Sequence, residues 1–498
     1  MPTPRERPAA TLAVWLGAVV VVLASCSTDP SNVPTGADDG RAGVSLASSR
    51  DKVAICHRPA GSGGAILEVG APALAGHQRH GDYLTTLIVS HAAGGQSDDG
   101  VHFTRIGDAL SAARAGRLAR GELVSAACRI TIVVSADVYR GSVAGTTVGD
   151  VEHFPLMVDV PDITLRGALV MGLDGDGRAT GAGTGGGESV LTPVEPLPFV
   201  IGGLSTPIIV ANAHPGGSAG NGLTVEGFVF QSGHDPAVDA GGQAVLSVRV
   251  TGLTIRGNRI EGGFTESLDL RAGGADVVQN HLAGTAGTCD VCLSGPGRYR
   301  AIGNRLLAGG IPGLGLGGVV SLPVPSGVEP VELPATAETW GEIRNNEVRD
   351  HRRLPVGVGI RVDALGVGAP NVHNTVHAVI RDNLLVNNRF GLIVHAAFPI
   401  PGTELKGDVD VTYGGNVILE SCQAKLLVSL SRHTTALGLT AQPYLRNSTF
   451  QLSLGGDLSW DDAWFGHPAG FGNTLIVDGQ PIANGNRHFY SLTGCPGL

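Results

Sequence analysis

The amino-acid sequence predicts an all-β fold, a solenoid built by stacking short strands, and three observations carry that expectation. The first is a recurring phrase. Residues 254–263 read TIRGNRIEGG, and the pattern returns as AIGNRLL from Ala301, EIRNNEV from Glu342 and VIRDNLLV from Val379. The second is the interval: Asn258 to Asn280 is 22 residues and Asn280 to Asn304 is 24, and Asn346, Asn383, Asn416 and Asn447 continue the series at wider gaps. That is the length of one coil of three short strands with their turns, interrupted in places by loop insertions. The third is composition. Gly is 76 of 498 residues while hydrophobic residues are 42%, so many tight turns alternate with many short buried strands. Asn suits such a turn because it tolerates the left-handed backbone conformation and its amide can bond the backbone or the next Asn in the stack. These asparagines are therefore read as structural. A β-propeller would want an aromatic signature in every blade, and a sandwich would not repeat.

The chain opens with an address rather than a folded element. Arg5 and Arg7 precede the apolar AATLAVWLGAVVVVLAS, which is short for a membrane span and stops at LASC. Leu23, Ala24, Ser25 and Cys26 resemble the lipobox of bacterial lipoproteins, in which small residues admit the signal peptidase and the cysteine thiol receives diacylglycerol. The resemblance implies a signal peptide and lipobox over 1–26, lipidation of Cys26 and a membrane partner reached through that lipid. Ser27 in place of Asp then implies the outer membrane or cell surface of a bacterial envelope. The alternative is an ordinary signal peptide with a chance cysteine. Residues 27–51, rich in Ser, Gly, Pro and Asp, read as a flexible tether.

Residues 52–92 form the next unit, with VAICHRPAGSGGAILEVGAPALAGHQRHGDYL running from Val53. It resembles a short module of exported bacterial proteins that has a Cys-His pair, a strand of the ILEV kind, an Ala-rich turn and HxxHGD. His57, His77, His80 and Asp82 are a candidate metal set: His77 and His80, three apart, share a face of a helical turn, and imidazoles with a carboxylate suit zinc. The alternative is a disulfide-stapled mini-domain whose histidines bond its own backbone. The resemblance implies a further cysteine soon after HGD. Tyr83, Leu84 and Thr85 stand there instead, which leaves Cys56 to pair elsewhere, for instance with Cys128. With Cys26 lipidated, Cys56, Cys128, Cys289, Cys292, Cys422 and Cys495 are the disulfide candidates of an exported chain, their connectivity open. Cys289 and Cys292 close a small loop or form a redox or metal C-x-x-C, and Cys422 with Cys495 would tie down the C-terminal end.

From Phe103, FTRIGDALSAARAGRLARG sets Ile106, Leu110 and Ala113 at helical spacing with Thr104 available as N-cap, and the strand-like RITIVVSADVYRG follows. This pairing resembles the opening of right-handed parallel β-helix proteins, where a helix covers the first rung, because the open end of a stacked core exposes apolar side chains. Strand-sized pieces separated by Gly, Asn or Asp then fill 103–460, and 461–498 are left as a C-terminal cap. The insert GLDGDGRATGAGTGGGE at 172–188 either leaves the coil as a loop or starts a calcium site at Asp174 and Asp176. The Pro-rich LPVPSGVEPVELPATAET also reads as an excursion. Over 103–460 the chain is similar to the pectate-lyase-like family. That likeness implies a right-handed parallel β-helix with an N-terminal capping helix, and a groove along one parallel face. In the family, lyases hold calcium there with Asp and Glu and take a proton with Arg or Lys, while hydrolases use two or three Asp with a His nearby.

Period-2 alternation then selects candidates. SLDLR buries Leu268 and Leu270, GIRVD buries Ile360 and Val362, and GLIVH buries Leu392 and Val394, which turns Asp269, Arg271, Arg361, Asp363 and His395 outward. Aligning Gly359 with Gly391 puts Asp363 and His395 in one column of rungs stacked roughly 4.8 Å apart. These five are the candidate catalytic face, with calcium as cofactor in the groove and acidic polysaccharide as substrate for a lyase or hydrolase. The complete polygalacturonase signature is missing, so the alternative is solvated charge on a non-catalytic envelope lipoprotein that binds or supports. A formal charge of −10 without any run of basic residues excludes a nucleic-acid partner, and 4% aromatics argues against a long stacking platform. A monomer is expected.

Overall fold

The computed structural model describes residues 52–482 apart from intervening stretches, the longest being 58–63, 92–99, 144–150, 198–205, 213–219, 318–334, 366–372, 398–405, 430–446 and 456–462. The lipobox with Cys26, the tether, Cys495, much of the 461–498 segment and most of the Pro-rich excursion lie outside the described residues. The described chain is dominated by β-structure in long parallel sheets, one of fourteen strands and two of ten, with two helices.

The chain visits the three sheets in rotation. Leu253–Arg256 enters the fourteen-stranded sheet, Arg259–Glu261 the first ten-stranded sheet and Glu266–Arg271 the second, before Ala275–Val278 returns to pair in parallel beside Leu253–Arg256. Alternation decides what faces inward. In Thr336–Arg344 positions Ala337, Thr339, Gly341 and Ile343 are buried and those between them are not, and the short strands Arg259–Glu261, His281–Ala283 and Arg305–Leu307 bury only their middle residues, Ile260, Leu282 and Leu306. Inward residues of all three sheets, Ile255, Ile260 and Leu268 in one coil, merge into a single apolar core. That continuous burial is the driving force for stacking.

The corner between the long sheet and the short-strand sheet answers why Asn returns. Asn258, Asn280, Asn304, Asn346, Asn383 and Asn416 form an unbroken stack, each Nδ2 donating to the Oδ1 of the next at 2.8–3.1 Å. Each of the first five also donates its backbone N–H to that same oxygen, so one amide group satisfies the corner of the neighbouring coil. Two expectations change here. The left-handed residue is the one before the ladder asparagine: Gly257, Gln279, Gly303, Asn345, Asp382 and Gly415 all have positive φ. Asn447, itself at φ 50°, precedes the strand Thr449–Ser453 of the long sheet and so stands at a different corner, outside the ladder.

Near the N-terminus, helix α1 (Ala71–Arg79) packs on a three-stranded antiparallel sheet of Ala65–Gly70, Lys52–His57 and Tyr83–Leu84. The disulfide Cys56–Cys128 ties this unit to the start of the long sheet, and Thr86–Val89, from the same 52–92 segment, pairs in parallel with Ile130–Val134 of that sheet. Helix α2 (Ile106–Ala119) buries Ile106, Leu110 and Ala113 as the spacing predicts, and Ala109 with them. Its N-terminus differs from expectation. Arg105 rather than Thr104 is the N-cap residue and makes no side-chain cap, and the Glu152 carboxylate instead accepts the N–H groups of Ile106 and Gly107. A carboxylate brought from 45 residues away does the work that local sequence usually does. Cys289 and Cys292 are disulfide-bonded within the strand Cys289–Ser294, and Cys422 is disulfide-bonded too.

Candidate functional site

The expected catalytic face sits on the second ten-stranded sheet, and there the structure corrects the expectation of exposure. Leu268, Leu270, Ile360, Val362, Leu392 and Val394 point into the core as read, but their outward neighbours are enclosed as well: Asp269 is 3% exposed, Arg271 4%, Arg361 6% and Asp363 1%. Each arginine is ion-paired with the aspartate of its own strand, Arg271 with Asp269 and Arg361 with Asp363 at 2.7 Å. Gln243 adds hydrogen bonds of 2.6 Å to Glu266 and 2.8 Å to Asp269. Asp363 and His395 do share a column, as the glycine alignment predicts. The two Arg-Asp pairs do not meet. Arg271 is followed in its column by Ser294, Gly317 and then Asp363, a separation of three rungs or roughly 14 Å. These four side chains are enclosed rather than open to solvent, and alternation alone could not reveal that, because it reports direction and not cover.

The exposed polar face lies on the fourteen-stranded sheet, on the strands before the Asn corner rather than after it. Thr336–Arg344, His373–Arg381 and Lys406–Gly414, nine residues each, are its longest strands. Their register places Arg298, Trp340, His377 and Asp410 in one outward column and Asp276, Arg300, Glu342, Val379 and Thr412 in the next. Trp340, 40% exposed, stacks flat on the His377 ring with centroids 3.9 Å apart and planes at 14°, and the Arg298 guanidinium lies 5.4 Å from its ring centre. Nε1 of Trp340 donates to Glu338 at 3.3 Å, and His377 Nδ1 lies 3.5 Å from Asp410. The indole thus stands between His377 and Arg298 as part of a three-residue platform.

Beside the platform three guanidiniums surround one carboxylate: Glu342 is 3.1 Å from Arg381, 3.5 Å from Arg344 and 3.6 Å from Arg300, and Arg300 also reaches Asp276 at 3.2 Å. Burial raises the Asp276 carboxyl above the ordinary carboxylate range, Arg300 opposes that and Glu342 adds to it. A groove of about 1070 Å³ runs over these residues. The sequence signal for it was present in TAETWGEIR, a strict alternation with the tryptophan on the polar side.

At the N-terminal unit the structure brings together His57, His77 and Asp82 of the four expected metal residues. Nδ1 of each histidine lies 2.8 Å from Oδ2 of Asp82. His80 ends α1 as its exposed C-cap and stands apart. Burial pushes the Asp82 carboxyl up, but hydrogen bonds from His57 and His77 and the charge of Arg120 prevail and hold it below the usual carboxylate value. The insert at 172–188 does not form a calcium loop. Asp174 Oδ1 accepts the N–H groups of Asp176 and Arg178 at 3.0 and 2.9 Å, its Oδ2 is paired with Arg305, and Asp176 is paired with Arg178. The insert is a two-stranded hairpin, Met171–Leu173 with Ala179–Gly183, whose Asp176 carbonyl accepts a 2.7 Å hydrogen bond from Asn345 at the corner. No family model matches the chain, and no curated protein matches it in sequence.

Proposed function

We propose that the chain is a right-handed parallel β-helix, closed at its N-terminal end by α2 and anchored by a lipid on Cys26 to the outer face of a bacterial envelope, which binds acidic polysaccharide along its long sheet. The observation that carries this reading is the clamped, exposed Trp340 beside Arg298, Arg300, Arg344 and Arg381. With His377 and Arg298 against its two faces, the indole offers its exposed edge as an apolar rim for the C–H groups of a sugar. Guanidiniums recognise carboxylate or sulfate through paired donors, and here they already hold Glu342, whose place a uronate can take. The column of Arg298, Trp340, His377 and Asp410 runs across successive strands, which suits an extended polymer better than a single small molecule. The rotation of the chain through three parallel sheets, and the packing of α2 against strands at their beginning, support the β-helix and the capping role.

A catalytic reading rests on Asp276. A carboxyl raised by burial and set in a groove beside Arg300 is suited to general-acid work, and His377 against Asp410 is arranged as an oriented base. Both readings are tested together with protein lacking residues 1–26, against pectate, alginate and glycosaminoglycans, with and without calcium. Binding is followed by calorimetry, cleavage by unsaturated-uronate absorbance and reducing ends. Binding that Trp340→Ala weakens at least tenfold, with folding intact, supports the polysaccharide reading. Cleavage abolished by Asp276→Asn adds the enzyme. Absence of binding to every acidic polymer refutes both.

A further inference from the structure

Three side chains from three parts of the N-terminal unit converge on one point: His57 at the end of the strand Lys52–His57, His77 in the last turn of α1, and Asp82 just beyond it. From this geometry we propose a binding site for a zinc-like divalent metal ion, independent of the polysaccharide face. One ligand atom from each residue lies within 4.8 Å of the others, and both imidazoles use the same nitrogen, Nδ1, toward the same carboxylate oxygen. Two imidazoles and a carboxylate are a donor set that zinc takes in sites with an open fourth position. Ligand atoms bound at about 2.1 Å in a tetrahedron stand about 3.4 Å apart, so the 2.8 Å contacts need to open by only about half an ångström. For the ion to enter, the N–H proton of each imidazole shifts from Nδ1 to Nε2, so that each ring ligates in its neutral form through Nδ1.

The surroundings are built to hold that arrangement. Asp82 is 2% exposed in its side chain, and its other oxygen, Oδ1, is ion-paired with Arg120, which also donates to the carbonyl of Gly81. A ligating carboxylate fixed by an outer hydrogen bond is what a stable site requires. Gly81, at φ +83°, lets the chain double back so that the Asp82 N–H reaches the His77 carbonyl at 3.1 Å, and a Cβ there would come within 3.3 Å of Arg120. The Cys56–Cys128 disulfide fixes the residue next to His57. The two imidazoles are 33% and 28% exposed, so an ion and its water ligand have a way in. No sequence spacing links Cys56–His57 to the HxxHGD segment; the antiparallel pairing of Cys56 with Tyr83 does.

The test uses the full chain purified without a polyhistidine tag and stripped with chelator. Titration with zinc, and with cobalt(II) read by its visible absorption, is expected to show one ion per chain in a tetrahedral or five-coordinate field. His77→Ala and His57→Ala each weaken binding at least tenfold, His80→Ala leaves it unchanged, and circular dichroism of each variant matches the parent. No binding by the parent chain, binding that survives the His57→Ala/His77→Ala double variant, or binding lost only with His80→Ala would overturn the site. Because the readout is ion binding, failure here leaves the polysaccharide reading standing, and the reverse also holds.

Discussion

Replacing Asn304 by alanine should be among the most damaging single changes in this chain. Asn304 sits mid-ladder and is fully buried. Its Nδ2 donates to the Val277 carbonyl at 2.8 Å and to Asn346 at 2.9 Å, and its Oδ1 accepts the Asn280 N–H at 2.9 Å and the Asn280 Nδ2 at 3.1 Å. Four hydrogen bonds disappear, each worth about 1 kcal/mol net, and the Asn280 backbone N–H is left buried without its acceptor at a further cost of about 1–3 kcal/mol. Partial relaxation and shared partners bring the expected loss to about 3–5 kcal/mol. Urea unfolding, with the midpoint and slope both fitted, measures it, and amide exchange at Asn280 reports the local consequence. Asn447→Gly is the control, since Asn447 is exposed, outside the ladder and already left-handed, and its change should fall within about 0.5 kcal/mol. A loss below about 1 kcal/mol for Asn304→Ala, or an Asn280 amide that stays protected, would refute the claim that the ladder holds the corners.

Glu152 makes stability depend on pH. Burial raises its carboxyl to about 7 from an ordinary value of 4.5, against the pull of the Gly107 and Ile106 N–H groups. The folded state therefore holds more protons between those values. Its contribution is intact below pH 4.5 and lost as pH rises through 7, by up to about 3 kcal/mol, and Glu152→Gln should flatten that slope in denaturation curves taken across the range. Gly341 faces the core, where a Cβ would lie 2.3 Å from Leu316, so Gly341→Ala should cost about 1–3 kcal/mol by calorimetry and be partly rescued by Leu316→Ala. Cys56→Ser with Cys128→Ser opens a link spanning 72 residues and should lower stability by about 4 kcal/mol relative to the oxidised parent, measured by urea unfolding without reductant so that the other disulfides stay closed.

Much of the architecture was legible because the repeat writes itself into local pattern. Period-2 alternation named Leu268, Leu270, Ile360, Val362, Leu392 and Val394 as inward, the 22- and 24-residue intervals named three consecutive ladder asparagines, and helical spacing named Ile106, Leu110 and Ala113. Where the reading slipped, the deciding partner was distant. Thr104 had the right chemistry for a cap, but Glu152 reached the helix first. His80 had the right spacing from His77, but the chain turned at Gly81, which left His80 exposed and brought Asp82, already in the expected set, to the two imidazoles.

The candidate site divides the same way. From the sequence alone came the parallel-sheet architecture, the inward face of each strand and the shared column of Asp363 and His395, because these follow from the backbone period and the apolar pattern within one coil. Only the tertiary structure decided that Asp269, Arg271, Arg361 and Asp363 are enclosed, and that Trp340 and His377, 37 residues apart, stack on the exposed sheet. Direction is a property of a strand. Solvent cover and contact across rungs depend on strands distant in sequence, whose placement no local period encodes.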